Sequence, residues 1–165
     1  MRYNSRDMVK SSPSSRRAAR EVALRVLYMM EVGKTPREEA QESTILANEL
    51  DADSAAFART LIEGTLTHRD AADASIIHNS THYPLARQTI VDRNILRIAT
   101  TEILFGISGA PYGVIANEAV ELAKKYSTPE AAKFVNGVIG GVIRDVSPTE
   151  DSAEIAEQQE DNSIA

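Results

Sequence analysis

The sequence predicts an all-α fold: a single compact domain of about seven helices in two packed halves. Three observations carry that prediction. Apolar residues recur every three or four positions through most of residues 16–146, as on the buried stripe of a helix. No stretch alternates with the two-residue period of a strand. Near the middle, Tyr83-Pro84 interrupts the pattern, because the residue before a proline avoids helical angles.

Residues 1–15 form a polar, basic extension in which Ser11-Ser12-Pro13-Ser14-Ser15 reads as a flexible linker. Ser15 is the expected N-cap of a first helix from Arg16 to Val32, with Ala19, Val22, Ala23, Val26, Leu27 and Met30 buried. Gly33 is expected to end it in a left-handed conformation. Thr35 and Glu38 have capping-box spacing ahead of a second helix, 36–50, with Ala40, Ile45, Leu46 and Leu50 inward. Asp51 or Asp53 starts a third, 54–67, on Phe57, Leu61, Ile62 and Leu66. A fourth, 69–79, carries Ala72, Ile76 and Ile77.

After the break, 85–89 suits a short helical turn and 92–105 a strong helix built on Ile95, Leu96, Ile98, Ala99, Ile103 and Leu104. Pro111 fits the first turn of the next helix, where its missing N–H costs nothing. Val114, Ile115, Ala119, Leu122, Ala123 and Tyr126 then recur at helical spacing. In Thr128-Pro129-Glu130 a cap, a first-position proline and an acid at the positive dipole end restart the chain as a last helix. Its stripe is Phe134, Val135, Val138, Ile139, Val142 and Ile143. Residues 147–165 read as an acidic, disordered tail.

With no Cys, disulfides and thiolate metal sites are excluded. No apolar run is long enough to span a bilayer and the basic start has no signal-peptide core, so a cytoplasmic protein is expected. The low aromatic content and the absence of Trp argue against a carbohydrate-binding or aromatic-cage module. The net charge of −6 conceals an asymmetry. Residues 1–37 hold nine Lys/Arg against three Asp/Glu, whereas residues 148–165 hold six acids and no base. A basic head on an acidic body suits one anion-binding face; two solvated ends would have the same composition.

No catalytic constellation, cofactor motif or metal set emerges. His78 and His82 have one-turn spacing, but Pro84 follows closely and no third ligand stands at a telling distance. Gly137, Gly140 and Gly141 lie inside an apolar helical pattern, which suits close helix packing rather than phosphate binding. Glu118 and Glu121 read as outer-face or partner-facing acids, not an acid–base pair. What the residues do offer is recognition of single-stranded RNA, which needs cations for phosphates, flat groups for stacking and amides for base edges. Arg16, Arg17 and Arg20 cluster near a helix start, against the dipole's preference for acids. Tyr28, Tyr112, Tyr126 and Phe134 are flat groups, and Lys133 and Asn136 add polar ones. For the arginines solvated surface, and for the aromatics core packing, remain open on the residues alone.

Three blocks in order resemble the NusB family of bacterial transcription antitermination factors. They are Arg16-Arg17-Ala18-Ala19-Arg20-Glu21, then Asp92 to Ala99 (DRNILRIA), then Val114 to Lys124 (VIANEAVELAK) with Lys133 to Ile139 (KFVNGVI). The family's late signature reads like VAINEAVELAK followed by KFVNGVL. The resemblance implies binding of boxA RNA in ribosomal RNA transcripts together with NusE, the ribosomal protein that doubles as a transcription factor, and action on elongating RNA polymerase. By position it implies an RNA face of Arg16, Arg17, Arg20, Tyr28, Arg97, Tyr112, Lys133 and Phe134. It implies Glu130 as an acid that restrains RNA affinity, and Asp92 and Arg93 as partner-facing residues. The interrupted RRAAR cluster offers fewer cations than a continuous run. Two other readings stand beside this one. A helical protein-interaction module, a homodimer among them, would not use RNA. The RNA-binding domain of an rRNA cytosine methyltransferase would need a catalytic domain and a nucleophilic Cys, and the chain is expected to be no enzyme.

Overall fold

A computed structural model describes residues 13–147, in which seven α-helices and no strand are present. They are α1 Pro13–Val32, α2 Arg37–Ala47, α3 Ala52–Thr67, α4 Arg69–Asn79, α5 Ile90–Phe105, α6 Tyr112–Tyr126 and α7 Pro129–Val146. A single 3-10 turn, Leu85–Arg87, follows the Tyr83-Pro84 break. The linker expected before residue 13 and the tail expected after residue 147 lie outside the described residues.

α1 packs on α2 and α3, while α4 and α6 each pack on α5 and α7, which pack on each other. α5 joins the two groups by touching α1, α3, α4, α6 and α7. That position explains its burial on every side: Ile95, Leu96, Ile98, Ala99 and Ile103 are buried, and so are Asn94, Arg97, Thr100, Thr101 and Glu102. A helix enclosed in this way must satisfy polar side chains internally, which shapes the site described below.

Local chemistry sets several helix starts. Asp51 accepts the Ser54 N–H at 2.8 Å, Thr89 that of Asp92 at 3.1 Å, and Thr128 that of Ala131 at 3.1 Å. Pro129 follows at the first position of α7, where it suits the helix. α5 closes on Gly106, left-handed at φ 62°.

Other expectations need correction. α1 begins before Ser15, which lies inside the helix rather than at its cap. Gly33 is not the left-handed residue; its N–H closes the last turn on Met29 and Lys34 takes φ 53°. The Thr35 capping box does not form, since α2 begins at Arg37 and the cap position falls to Pro36. Pro111 likewise sits at the cap of α6, one residue outside it. Leu46 and Ile77 face solvent, because each lies about 100° of helix past a residue that takes the inward place, Ile45 and Ile76. Val114 is exposed as well, in the first turn of α6.

Of the glycines on α7, Gly141 is the one with a packing reason. A Cβ there would lie 2.1 Å from Asn79 Oδ1 and 3.1 Å from Asn79 Cβ. Asn79 cannot easily move, because its amide donates to Ser75 O and Asp145 Oδ2. Gly141→Ala is therefore expected to destabilise by about 1–3 kcal/mol despite the better helix propensity of alanine. Gly137→Ala, with nothing within 4 Å of the added carbon, is expected to stabilise. Urea unfolding of both variants checks the pair; equal midpoints would contradict the packing argument.

Candidate nucleic-acid interface

One edge of α1 carries Arg17, Glu21, Arg25 and Tyr28, spaced by four, four and three residues and so in one stripe. This stripe meets α6 through side chains. Arg17 donates to Glu118 from Nε at 3.0 Å and Nη2 at 2.9 Å. Lys125 Nζ reaches both oxygens of Glu21, at 2.9 and 3.1 Å. Tyr126 Oη donates to Glu21 at 3.1 Å and accepts from Arg25 Nη2 at 3.2 Å. Hydrogen bonding to Glu118, then its charge, holds the Arg17 guanidinium above its ordinary pKa range, and Glu21 does the same for the Lys125 ammonium. Along α1, Tyr28 comes last in the stripe. It is 42% exposed.

At the other end, Arg16 is half-buried with its guanidinium 4.2 Å from the Phe57 ring centroid. Its Nη1 donates to Ser108 O in the loop before α6. Tyr112 begins α6 four residues later and is exposed.

Three expected site residues are not on a surface, and this corrects the sequence reading. Arg20 is 3% exposed and donates to Glu102 from Nε at 3.0 Å and Nη2 at 2.7 Å. Arg97 is 5% exposed and makes the same fork on Asp73, at 2.7 and 2.9 Å. Each guanidinium is paired with its carboxylate inside the fold, and little of it is exposed to meet a phosphate. Asp92 is buried in the first turn of α5, with Oδ1 unpaired among the described residues. Arg93, beside it, is half-buried and pairs with Glu31, which Asn94 also reaches. Burial opposes the Glu31 charge, but hydrogen bonds from Asn94 and Arg93 outweigh it and keep the carboxyl below its ordinary range.

On α7, Glu130 and Lys133 are exposed one turn apart. Phe134 turns the other way, half-buried, its ring edge-on to Tyr83 at 5.2 Å. Lys133 and Asn136 instead border a groove of about 680 Å³ shared with Asn117 and Lys124 of α6. A second depression, about 840 Å³, opens between α4, the 3-10 turn and α5; Ile77, Leu85 and Arg93 are among its walls.

The acids that organise these arginines were missed in the sequence: Glu102, Asp73, Glu31 and Glu118. The Arg17–Glu118 pair joins residues 101 positions apart, and no local spacing announces it. Glu118, read as outer-face, is buried under Arg17. Among the described residues no three His, Asp or Glu side chains gather as a metal set, and no helix is long and apolar enough to cross a membrane.

Comparison with known proteins gives this geometry its context. The NusB family profile matches residues 17–144, spanning α1 to α7. The chain belongs to the NusB family. It is 41% identical over 135 residues to the transcription antitermination protein NusB of Desulfitobacterium hafniense, covering 81% of this chain and 90% of that one. It is 40% identical over 132 residues to the NusB of Heliobacterium modesticaldum, covering 80% of this chain but 64% of that longer protein. Among solved structures, it superposes at a TM-score of 0.71 and 28% identity on a chain from antitermination factors NusB and NusE in complex with dsRNA, covering 81% of this chain and 98% of that one. The chain is thus a transcription antitermination factor of the NusB family.

Proposed function

We propose that the chain binds boxA RNA of ribosomal RNA transcripts together with NusE, and that this complex promotes processive transcription by RNA polymerase in the cytoplasm. One observation carries the reading: the α1 stripe from Arg17 to Tyr28 brings a fixed, partly exposed cation and an exposed ring to one surface beside α6. Such a surface matches what single-stranded RNA asks of a protein. With Arg20 and Arg97 withdrawn, the RNA face is Arg16, Arg17, Tyr28, Tyr112 and Lys133, with Phe134 at its margin. Arg93, on the wall of the larger depression, is the partner-facing candidate.

The test is titration of a fluorescent boxA RNA and a scrambled RNA, with and without NusE, across a salt series. Selective binding strengthened by NusE is expected. If Arg16, Arg17 and Lys133 neutralise about three phosphates, the log–log salt slope is near −2. Removing the exposed charge with Glu130→Asn is expected to tighten binding; unchanged or weaker binding would reject a restraining role for Glu130. Failure of both RNAs to bind at low salt, even with NusE, would leave a helical protein-interaction module as the better reading.

A further inference from the structure

A third cavity, of about 360 Å³, lies where α1, α3, α4 and α5 meet, and the reading above gives it no role. We propose that it binds a small organic phosphate. Three cations line it. Lys34 is exposed, with no carboxylate partner among the described residues. Arg69, the first residue of α4, stands 3.8 Å from Asp73, an ion-pair contact too long for a hydrogen bond, and its side chain is 56% exposed. Arg97 is the enclosed one. Its fork on Asp73 engages Nε and Nη2, so the Nη1 hydrogens remain to be donated. A polymer backbone cannot follow it inward, but a small molecule in the cavity meets the wall it forms.

Charge fits a dianion. The acids paired with the lining cations or standing among them are Asp73 and Glu31, and Glu31 brings its own partner, Arg93. Four cations against two carboxylates leave two positive charges unmatched, and a phosphate monoester carries roughly two negative ones near neutral pH. The rest of the wall suits more than a bare ion. Leu27, Met30 and Leu66 give it an apolar side. Glu31 accepts one hydrogen bond on each oxygen, from Arg93 and Asn94, so lone pairs remain for a hydroxyl or amine of the ligand. The volume stands near the lower end of small-molecule sites, about 300 Å³, which suits a sugar phosphate or a mononucleotide. The backbone points the same way. Lys34 takes φ 53°, where glycine is the easier residue, so a lysine there gives up stability and places an ammonium at the cavity. Leu27, Met30 and Glu31 lie roughly a third of a turn round α1 from the Arg17–Tyr28 stripe, so the site does not rest on RNA binding.

Calorimetric titration of the full chain with adenosine monophosphate, ribose 5-phosphate, inorganic phosphate and adenosine tests the site, with amide shifts followed by NMR. At least one of the two esters should bind several-fold more tightly than inorganic phosphate, and adenosine should not bind. Shifts should gather at residues 30–34, 65–69 and 94–97 and spare α6 and α7. Lys34→Gly is expected to weaken ester binding about tenfold or more, the share of one charged hydrogen bond. Its unfolding midpoint should stay at or above native, because glycine accepts the left-handed angles, so lost binding would not be lost folding. Arg69→Gln should weaken ester binding as well, while Arg17→Ala should leave it unchanged. Absence of ester binding at millimolar concentration would overturn the proposal. So would inorganic phosphate binding as tightly as both esters, which would leave no organic ligand to assign. Shifts along the Arg17–Tyr28 stripe, with binding lost in Arg17→Ala and kept in Lys34→Gly, would overturn it too, since the esters would then be acting as RNA fragments.

Discussion

Arg20→Ala is expected to cost about 3–5 kcal/mol of folding stability, because it strands a carboxylate where water cannot reach. Glu102 is 2% exposed on α5, and both its oxygens accept from Arg20. Removing the guanidinium also withdraws a group lying 5.3 Å from the Phe57 ring centroid. The ion pair as a whole need not stabilise the fold relative to apolar residues of similar size, because desolvating two charges offsets much of their attraction. The double replacement Arg20→Met with Glu102→Leu is therefore expected to lie within about 2 kcal/mol of the native chain, far above Arg20→Ala alone. Urea unfolding of the single and double variants measures both. A single variant within about 1 kcal/mol of native would show that water or a neighbour relieves Glu102, and would undo the buried-pair account.

That result bears on how much the sequence could reveal. The start of α7 was legible, because a capping threonine, a first-turn proline and an acid act on neighbours within four residues. α4 was legible from its apolar spacing alone, and its limits agree with the expected 69–79. The capping of α2 was not, because Thr35 and Glu38 stand at capping-box spacing while the helix begins only at Arg37, with no side-chain cap. In the site, RRAAR reads as three equivalent cations, yet the fold uses them in three ways. Helical phase held a clue: Arg20 stands three residues before Ala23 and seven before Leu27, on the buried stripe. Asp92 likewise precedes Ile95, Leu96 and Ala99 at core spacing. Phase puts a charge in the interior but cannot name its partner. Glu102 is 82 positions from Arg20, and nothing local to either residue encodes their meeting.

Arg17→Ala should show the opposite behaviour from its neighbour three residues on. The Glu118 fork engages Nε and one hydrogen of Nη2, so Nη1 and the second Nη2 hydrogen remain to be donated. The Arg17 side chain is 48% exposed and that of Glu118 11%, so the pair lies at the edge of the fold and contributes less to stability than the enclosed Arg20–Glu102 pair. Its hydrogen bonds instead fix the guanidinium in one orientation, so a phosphate meeting the open edge finds it already ordered. A charged hydrogen bond of this kind contributes about 1.5–3 kcal/mol, so Arg17→Ala is expected to weaken boxA binding roughly 10- to 100-fold at low salt. The salt slope should become shallower by about 0.7, the share of one phosphate on a single strand. Its unfolding midpoint should fall less than that of Arg20→Ala, because Glu118 keeps some access to water and Glu102 keeps almost none. Arg17→Lys separates charge from geometry: it keeps the cation and loses the fork, so the slope should hold while affinity drops. Fluorescence titration beside urea unfolding reads all three variants. If Arg17→Ala lost stability and kept its affinity, the open edge of Arg17 would have no role in RNA binding and the contact with Glu118 would be structural.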